Sequence, residues 1–210
     1  MNDKVLALFD FDGTITRADS FYKFIQYYAG NLALVKGLFG TLPTLISYKT
    51  NRISNGAAKE KIISHFFRNA SLDVFDNRCK RFSELIVPRI LNAAVIPVLQ
   101  QHQQQCHRIV VVTASLENYV KPWAEAHELE CIATQLEVQH NKLTGRFSSP
   151  NCNGEEKARR IRASLNLADY TEIYAYGNSK GDIPMLDLAS KPFFIPSPDR
   201  CPVPFRPTSN

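Results

Sequence analysis

Asp10 and Asp12 stand two positions apart in the run FDFDGT, directly after the apolar stretch VLALF. Residues i and i+2 of a strand point to the same face. Two carboxylates would therefore meet at the C-terminal edge of a strand, where open parallel sheets bind their ligands. Like charges held together out of water need a cation or a proton between them. A hard divalent cation with oxygen ligands suits the pair, and Mg²⁺ suits it best. Gly13 then lets the chain turn away sharply. Three further groups recur in the same kind of place. Thr113 closes the β-branched run in VVVTAS, followed by the small Ala114 and by Ser115. Its hydroxyl could bond a phosphoryl oxygen or simply end the strand, and Ser115 could instead cap the next helix. Lys157, in GEEKARRIRASL, could neutralise a phosphoryl group or a carboxylate, or lie on a solvated helix face. Asn178 and Asp182 lie in the polar loop of YGNSKGDIPML. They offer more oxygen ligands, with a helix N-cap as the other reading of Asp182.

Elements must bring these residues together. Val5 to Phe11, His107 to Thr113, Thr171 to Tyr176 and Pro192 to Ile195 read as strands, with Cys131 to Leu136 as another. Between them Leu116 to Leu129, Glu155 to Leu167 and Ile183 to Ala189 read as helices. Strands alternating with helices predict an α/β fold with a largely parallel sheet. Ser20 to about Gln104 interrupts that alternation with helical patterns: Phe21 to Ala29, Leu32 to Tyr48 in pieces, Ala57 to Arg68, Leu72 to Leu91 and Ile96 to Gln105. The last leads into the IVVV strand and belongs with the sheet. The expected division is a core of residues 1–15 and 95–210 and an all-helical cap of residues 16–94. Val138 to Arg146 reads as a small β-hairpin with Asn141-Lys142 at its turn.

Charge and composition narrow the classes. From Ile15 to Val95 there are 12 Lys/Arg against 5 Asp/Glu, within a chain of net charge +5. A basic segment favours an anionic partner. The runs RCKR and KARRIR are too short to indicate nucleic acid. The five cysteines include no C-x-x-C pair, which argues against a disulfide framework and fits a reducing, cytoplasmic setting. His65, His102, His107, His127 and His140 share no metal-ligand spacing. No P-loop and no G-x-G-x-x-G fingerprint is present.

The order D-x-D-G-T, a Thr after a β-branched strand, a Lys, then G-N-x-x-x-D resembles the haloacid dehalogenase-like hydrolase superfamily. TASLENYVKPWA, NCNGEEKARRIR and YGNSKGDIPML are similar to its branch of phosphoserine phosphatases and phosphatidylglycerophosphatase-type enzymes. The resemblance spans nearly the whole chain. It implies a Rossmann-like core, a helical cap and phosphomonoester hydrolysis through an aspartyl-phosphate. Asp10 would be the nucleophile, and Asp12 would protonate the leaving group and then activate water. Thr113 and Lys157 would orient the phosphoryl oxygens, with Ala114 and Ser115 beside them. Mg²⁺ would be held by Asp10, the Asp12 carbonyl and the last motif. There Asn178 departs from the common G-D-x-x-x-D pattern, leaving Asn178 and Asp182 as alternative direct ligands.

The same resemblance assigns the cap to substrate choice. Asp19 falls where phosphoserine phosphatases carry a Glu that contacts the substrate amine; its other reading is a helix N-cap. The apolar run Leu32 to Tyr48 has two readings as well. It is packing between cap helices, or an interfacial segment on an anionic membrane surface, helped by the nearby Lys23, Lys36, Lys49 and Arg52. A small phosphorylated substrate is the expected partner. A lipid phosphatase or phosphotransferase of the same fold, and a binding protein without turnover, are the alternatives.

Overall fold

The computed structural model describes residues 4–32, 37, 44, 47, 50 and 52–205. Strand β1 (Val5–Phe9) is followed by helices α1 (Ser20–Ala29), α2 (Asn55–Phe67) and α3 (Leu72–Leu85). Helix α4 (Ile96–Gln104) leads into β2 (Arg108–Leu116), then α5 (Glu117–Ala126) and β3 (Glu130–Thr134). The hairpin β4 (Leu136–Gln139) and β5 (Lys142–Phe147) precedes α6 (Glu155–Ser164) and β6 (Glu172–Gly177). The short α7 (Ile183–Leu186), β7 (Lys191–Phe194) and β8 (Val203–Pro204) complete the order.

The main sheet runs β3-β2-β1-β6-β7-β8, parallel throughout except for β8. β1 sits between β2 and β6, with Phe9 in register with Val111 and Tyr176. Its residues are apolar on both faces because helices cover both. Leu6 and Leu8 pack with Val110, Val112, Ile161 of α6 and Met185 of α7. Ala7 and Phe9 join the opposite cluster, which holds Phe24, Phe67, Phe75, Phe82, Tyr119 and Trp123. Phe24 of α1 stands 5.2 Å from Phe82 of α3 and 5.1 Å from Tyr119 of α5, centroid to centroid. The inserted helices thus share one apolar interior with the sheet.

The expected α/β architecture, helical insertion and hairpin are all present, with local differences. β2 continues past Thr113 to Leu116, because its pairing with β3 shifts register between Val112 and Leu116. Such a bulge re-aims side chains without ending the strand. Leu116, not Ser115, is consequently the N-cap of α5. Helix α3 stops at Leu85, and Val87–Ile90 forms a separate 3₁₀ turn. Pro88 explains this: it lacks an N–H to continue the α-helical bonding, and it sits instead in the first turn of the 3₁₀ segment, where that N–H is not needed. The hairpin turn is His140-Asn141, one residue earlier than expected, with φ of 51° and 58°. Positive φ at both central residues marks the mirror-image turn that matches strand twist, and Asn tolerates it well. The run Leu32 to Tyr48 lies largely outside the described residues. Among the described residues no helix is long and apolar enough to cross a membrane.

The hairpin is joined to the inserted helices by main-chain bonds. Asn69 N–H donates to Leu143 O at 2.8 Å, Leu143 N–H to Ala70 O at 3.0 Å, and Leu72 N–H to Asn141 O at 3.0 Å. Gly145 allows the close approach. A Cβ there would lie 2.7 Å from Ser64 Cα, and its φ is 85°.

Candidate active site

Strand order reverses at β1, whose neighbours β2 and β6 lead away in opposite directions. The crevice beyond the strand ends at such a point is where ligands bind. Asp10 is the first residue after β1, anchored by its N–H to Tyr176 O at 2.9 Å. The next residues curl back, with Thr16 N–H donating to Phe11 O at 2.8 Å. Gly13 is required twice over. Its φ is 79°, and a Cβ would stand 2.0 Å from Asn178 Nδ2. The Asn178 carboxamide therefore rests directly on the loop that carries both aspartates.

Lys157 is buried to 1% exposure and commits all three ammonium protons. It donates to Asp10 Oδ1 at 2.5 Å, to Asp182 Oδ1 at 2.6 Å and to Val112 O at 2.8 Å. α6 delivers this side chain from one face of the sheet, while the carboxylates arrive from the loops after β1 and β6. Burial, and then the neighbouring Asp182 charge, push the Asp10 carboxyl up to about 7 against the pull of Lys157. Burial also works against Asp182, but Lys157 together with Ser179 and the Asn178 N–H holds it below the usual carboxylate range. Asp182 Oδ2 accepts from Asn178 N–H at 3.1 Å, Ser179 N–H at 2.9 Å and Ser179 Oγ at 2.7 Å. This capping-box geometry fixes the turn after β6.

Asp12 has a different setting, made of neutral donors. Ser20 N–H at the start of α1 donates to Oδ1 at 2.7 Å, and Ser115 Oγ donates to Oδ2. Ser20 Oγ lies 3.2 Å from Ser115 Oγ and donates to Tyr119 OH at 3.1 Å. Burial, reinforced by Asp12, pushes the Tyr119 phenol well up, so it stays neutral. Thr113 Oγ1 accepts the Ser115 N–H at 3.0 Å. Asp19 is the N-cap of α1, its Oδ1 accepting from Phe21 N–H at 2.9 Å and Tyr22 N–H at 3.2 Å. Burial and then the nearby Asp12 charge raise its carboxyl.

Asp10, Asp12, Lys157 and Asp182 are thus brought together, with Asn178, Thr113 and Ser115 alongside. Ala114 contributes its carbonyl, which accepts from Lys59 Nζ at 2.8 Å. Lys59 was not apparent as a site residue in the sequence. It projects from α2 with its ammonium 4.6 Å from the Phe21 ring centroid. Burial pushes that ammonium down, while Asp12 and Asp19 push it up. A signal for it existed: Lys59 shares the helical stripe of Ile62, Ile63, Phe66 and Phe67, a polar residue on an apolar face. Ser20 and Tyr119 carried no comparable signal, since both fit ordinary helix patterns.

A strand-end carboxylate clamped by a buried lysine, with a second carboxylate beside it on the same loop, is thus the centre of the candidate site. The haloacid dehalogenase-like hydrolase family matches residues 7–187, and the chain belongs to that family. Protein CicA of Caulobacter vibrioides is 30% identical over 195 residues, covering 90% of this chain and 85% of the relative. A histidinol-phosphatase of Neisseria meningitidis is 25% identical over 210 residues, covering 93% and 91%. A protein of unknown function from Bordetella pertussis has the same fold, with a TM-score of 0.78, 23% identity and 91% and 89% coverage. A substrate-bound phosphoserine phosphatase shares it at 0.65 and 16% identity, covering 94% and 89%.

Proposed function

We propose that this hydrolase is a Mg²⁺-dependent phosphatase acting on small phosphomonoesters through an aspartyl-phosphate on Asp10. The observation that carries the reading is the contrast between two carboxylates on one loop. Asp10 is paired with a buried ammonium, and Asp12 is held by an amide and a hydroxyl. Such contrast suits a nucleophile and an acid–base group respectively.

The donor set fits Mg²⁺. Asp10, Asp12, Asp19 and Asp182 supply four carboxylates against the two ammonium groups of Lys59 and Lys157, an imbalance that a divalent cation offsets. Asp10, the Asp12 main-chain carbonyl and the Asn178 amide oxygen would hold the ion. Mg²⁺ accepts such mixed oxygen ligands and keeps several waters. Asp182, already bonded at both oxygens, supports the ion through the loop. When bound, Mg²⁺ supplies positive charge to the phosphoryl oxygens.

Asp10 attacks phosphorus with a carboxylate oxygen. The bond from phosphorus to the leaving oxygen breaks, and that oxygen takes the proton from Asp12. Water then attacks phosphorus and gives a proton to Asp12, and the bond to Asp10 breaks to release phosphate. Splitting one displacement into two is what a covalent nucleophile contributes. Thr113 orients a phosphoryl oxygen and Lys157 offsets the phosphoryl charge, while Lys59 and Asp19, near Asp12, would face the rest of the substrate.

The test is a panel of phosphomonoesters, including phosphoserine, histidinol phosphate and vesicle-borne phospholipids, assayed with and without Mg²⁺. Turnover that requires Mg²⁺ and falls to background in Asp10→Asn is expected. Preference for vesicle-borne substrate would favour the lipid phosphatase and a membrane surface for the cap. Recovery of phosphate on an added alcohol would identify a phosphotransferase. Retained activity in Asp10→Asn would overturn the mechanism, and no turnover on any substrate would favour a binding protein.

A further inference from the structure

Behind Asp12 lies a row of hydroxyls that the proposed chemistry does not yet use. Tyr119 OH, Ser20 Oγ and Ser115 Oγ follow one another at 3.1 and 3.2 Å, and the row ends on Asp12 Oδ2. All three residues are completely buried. Packing does not require them. Tyr119 sits among Phe24 and Phe82, where a phenylalanine would fill the same ring space. Burying a hydroxyl costs free energy unless it finds a partner, and the partners of these three are one another and Asp12.

We propose that Ser115, backed by Ser20 and Tyr119, is a positioning residue that aims the Asp12 carboxyl at the leaving-group oxygen. The inference rests on the phosphatase reading above, in which Asp12 carries the proton. Asp12 receives one hydrogen bond on each oxygen, from Ser20 N–H at 2.7 Å and from Ser115 Oγ. Two donors on opposite oxygens fix the plane of the carboxyl group. One comes from the inserted helix α1 and the other from the bulge after Val112, so the plane is set only when both elements are seated. A hydroxyl can donate or accept. Ser115 can donate to Oδ2 through both half-reactions, which leaves the other lone pairs of the carboxyl group for the proton that passes to and from the substrate. Ser20 Oγ and Tyr119 OH pack against Ser115 Oγ and hold it in that orientation.

A positioning role makes a prediction that a packing role does not. Proton delivery matters most when the departing oxygen is a poor leaving group and least when it leaves readily as an anion. The probes are aryl phosphates, from p-nitrophenyl phosphate to phenyl phosphate. The readout is kcat/KM, which reports transfer of the phosphoryl group to the enzyme. General acid catalysis contributes roughly a hundredfold or more, so partial misalignment in Ser115→Ala is expected to cost about tenfold with phenyl phosphate. The same variant should stay within about twofold of native with p-nitrophenyl phosphate. Tyr119→Phe, which leaves Asp12 and its two donors untouched, should shift the leaving-group dependence in the same direction by a smaller amount. Circular dichroism and thermal melting of both variants check that they fold. A loss that is equal for the two probes, or no loss with either, overturns the positioning role while the phosphatase reading stands. Failure of that reading looks different: the native protein is inert on every aryl phosphate, or Asp10→Asn remains active, and the inference falls with it.

Discussion

Replacing Lys157 by methionine is the sharpest perturbation of the site's electrostatics. The ammonium makes three bonds of 2.5, 2.6 and 2.8 Å and is the shared counter-ion of Asp10 and Asp182. Methionine keeps most of the buried volume but leaves two carboxylates facing each other without it. Removing one partner of a buried pair typically costs about 3–5 kcal/mol, because the remaining charge is stranded. A chain of this length loses about 2–4 °C in Tm per kcal/mol, so a fall of roughly 10 °C is expected. The loop after β6 should keep its shape, since Asp182 Oδ2 retains its three donors. The loss therefore belongs to the charge, and adding Asp182→Asn to Lys157→Met should restore about 1–2 kcal/mol. The assay is urea unfolding of the native, single and double variants at pH 8 in the presence of a chelator. A Lys157→Met protein within about 1 kcal/mol of native would refute the reasoning. So would a double variant that is less stable than the single one.

Two further predictions concern the metal position and a surface pair. Asn178→Asp places a charge where the amide rests on Gly13, and should tighten Mg²⁺ binding by about tenfold, as measured by calorimetry. Unchanged affinity would remove Asn178 from the metal shell. Glu156 accepts from Arg159 and Arg160, and these bonds, Arg159's first, hold its carboxyl down at about 2. Its contribution is complete above the ordinary value of 4.5 and is lost as pH falls from there through about 2. Glu156→Gln should therefore cost about 1 kcal/mol at neutral pH, discounted for solvent screening. The difference in unfolding free energy from native should vanish near pH 2.

Asp10, Asp12, Lys157 and Asp182 were legible from the chain because each sits at a strand end or in the helix that follows one. Parallel α/β topology then collects such positions at one edge whatever their separation in sequence. Ser115 was legible as a site residue but not in its role, because a β-bulge turns its side chain and no local pattern announces a bulge. The boundary of α3 was signalled by Pro88, whose effect the apolar periodicity through Leu91 concealed. Lys59, Ser20 and Tyr119 reach the site through packing of α1, α2 and α5 against one another. Their contribution depends on distances between helices, which sequence spacing does not encode.

The single apolar interior that α1, α2 and α3 share with the sheet has a consequence for modularity. The insertion is contiguous in sequence, and its ends return near each other, with Arg17 N–H donating to Ile90 O at 2.8 Å. On that ground it looks like a cassette that could be excised or traded between relatives. The packing forbids this. Cutting it out would expose Phe11, Tyr119 and Trp123 on the sheet side, and Phe24, Phe67 and Phe82 on the other. It would also leave β5 without the main-chain partners at Asn69 and Ala70. A transplanted cap would have to bring a matching aromatic surface and a matching hairpin. Change in this region is accordingly open to single side chains on the inner faces of the helices and closed to wholesale exchange.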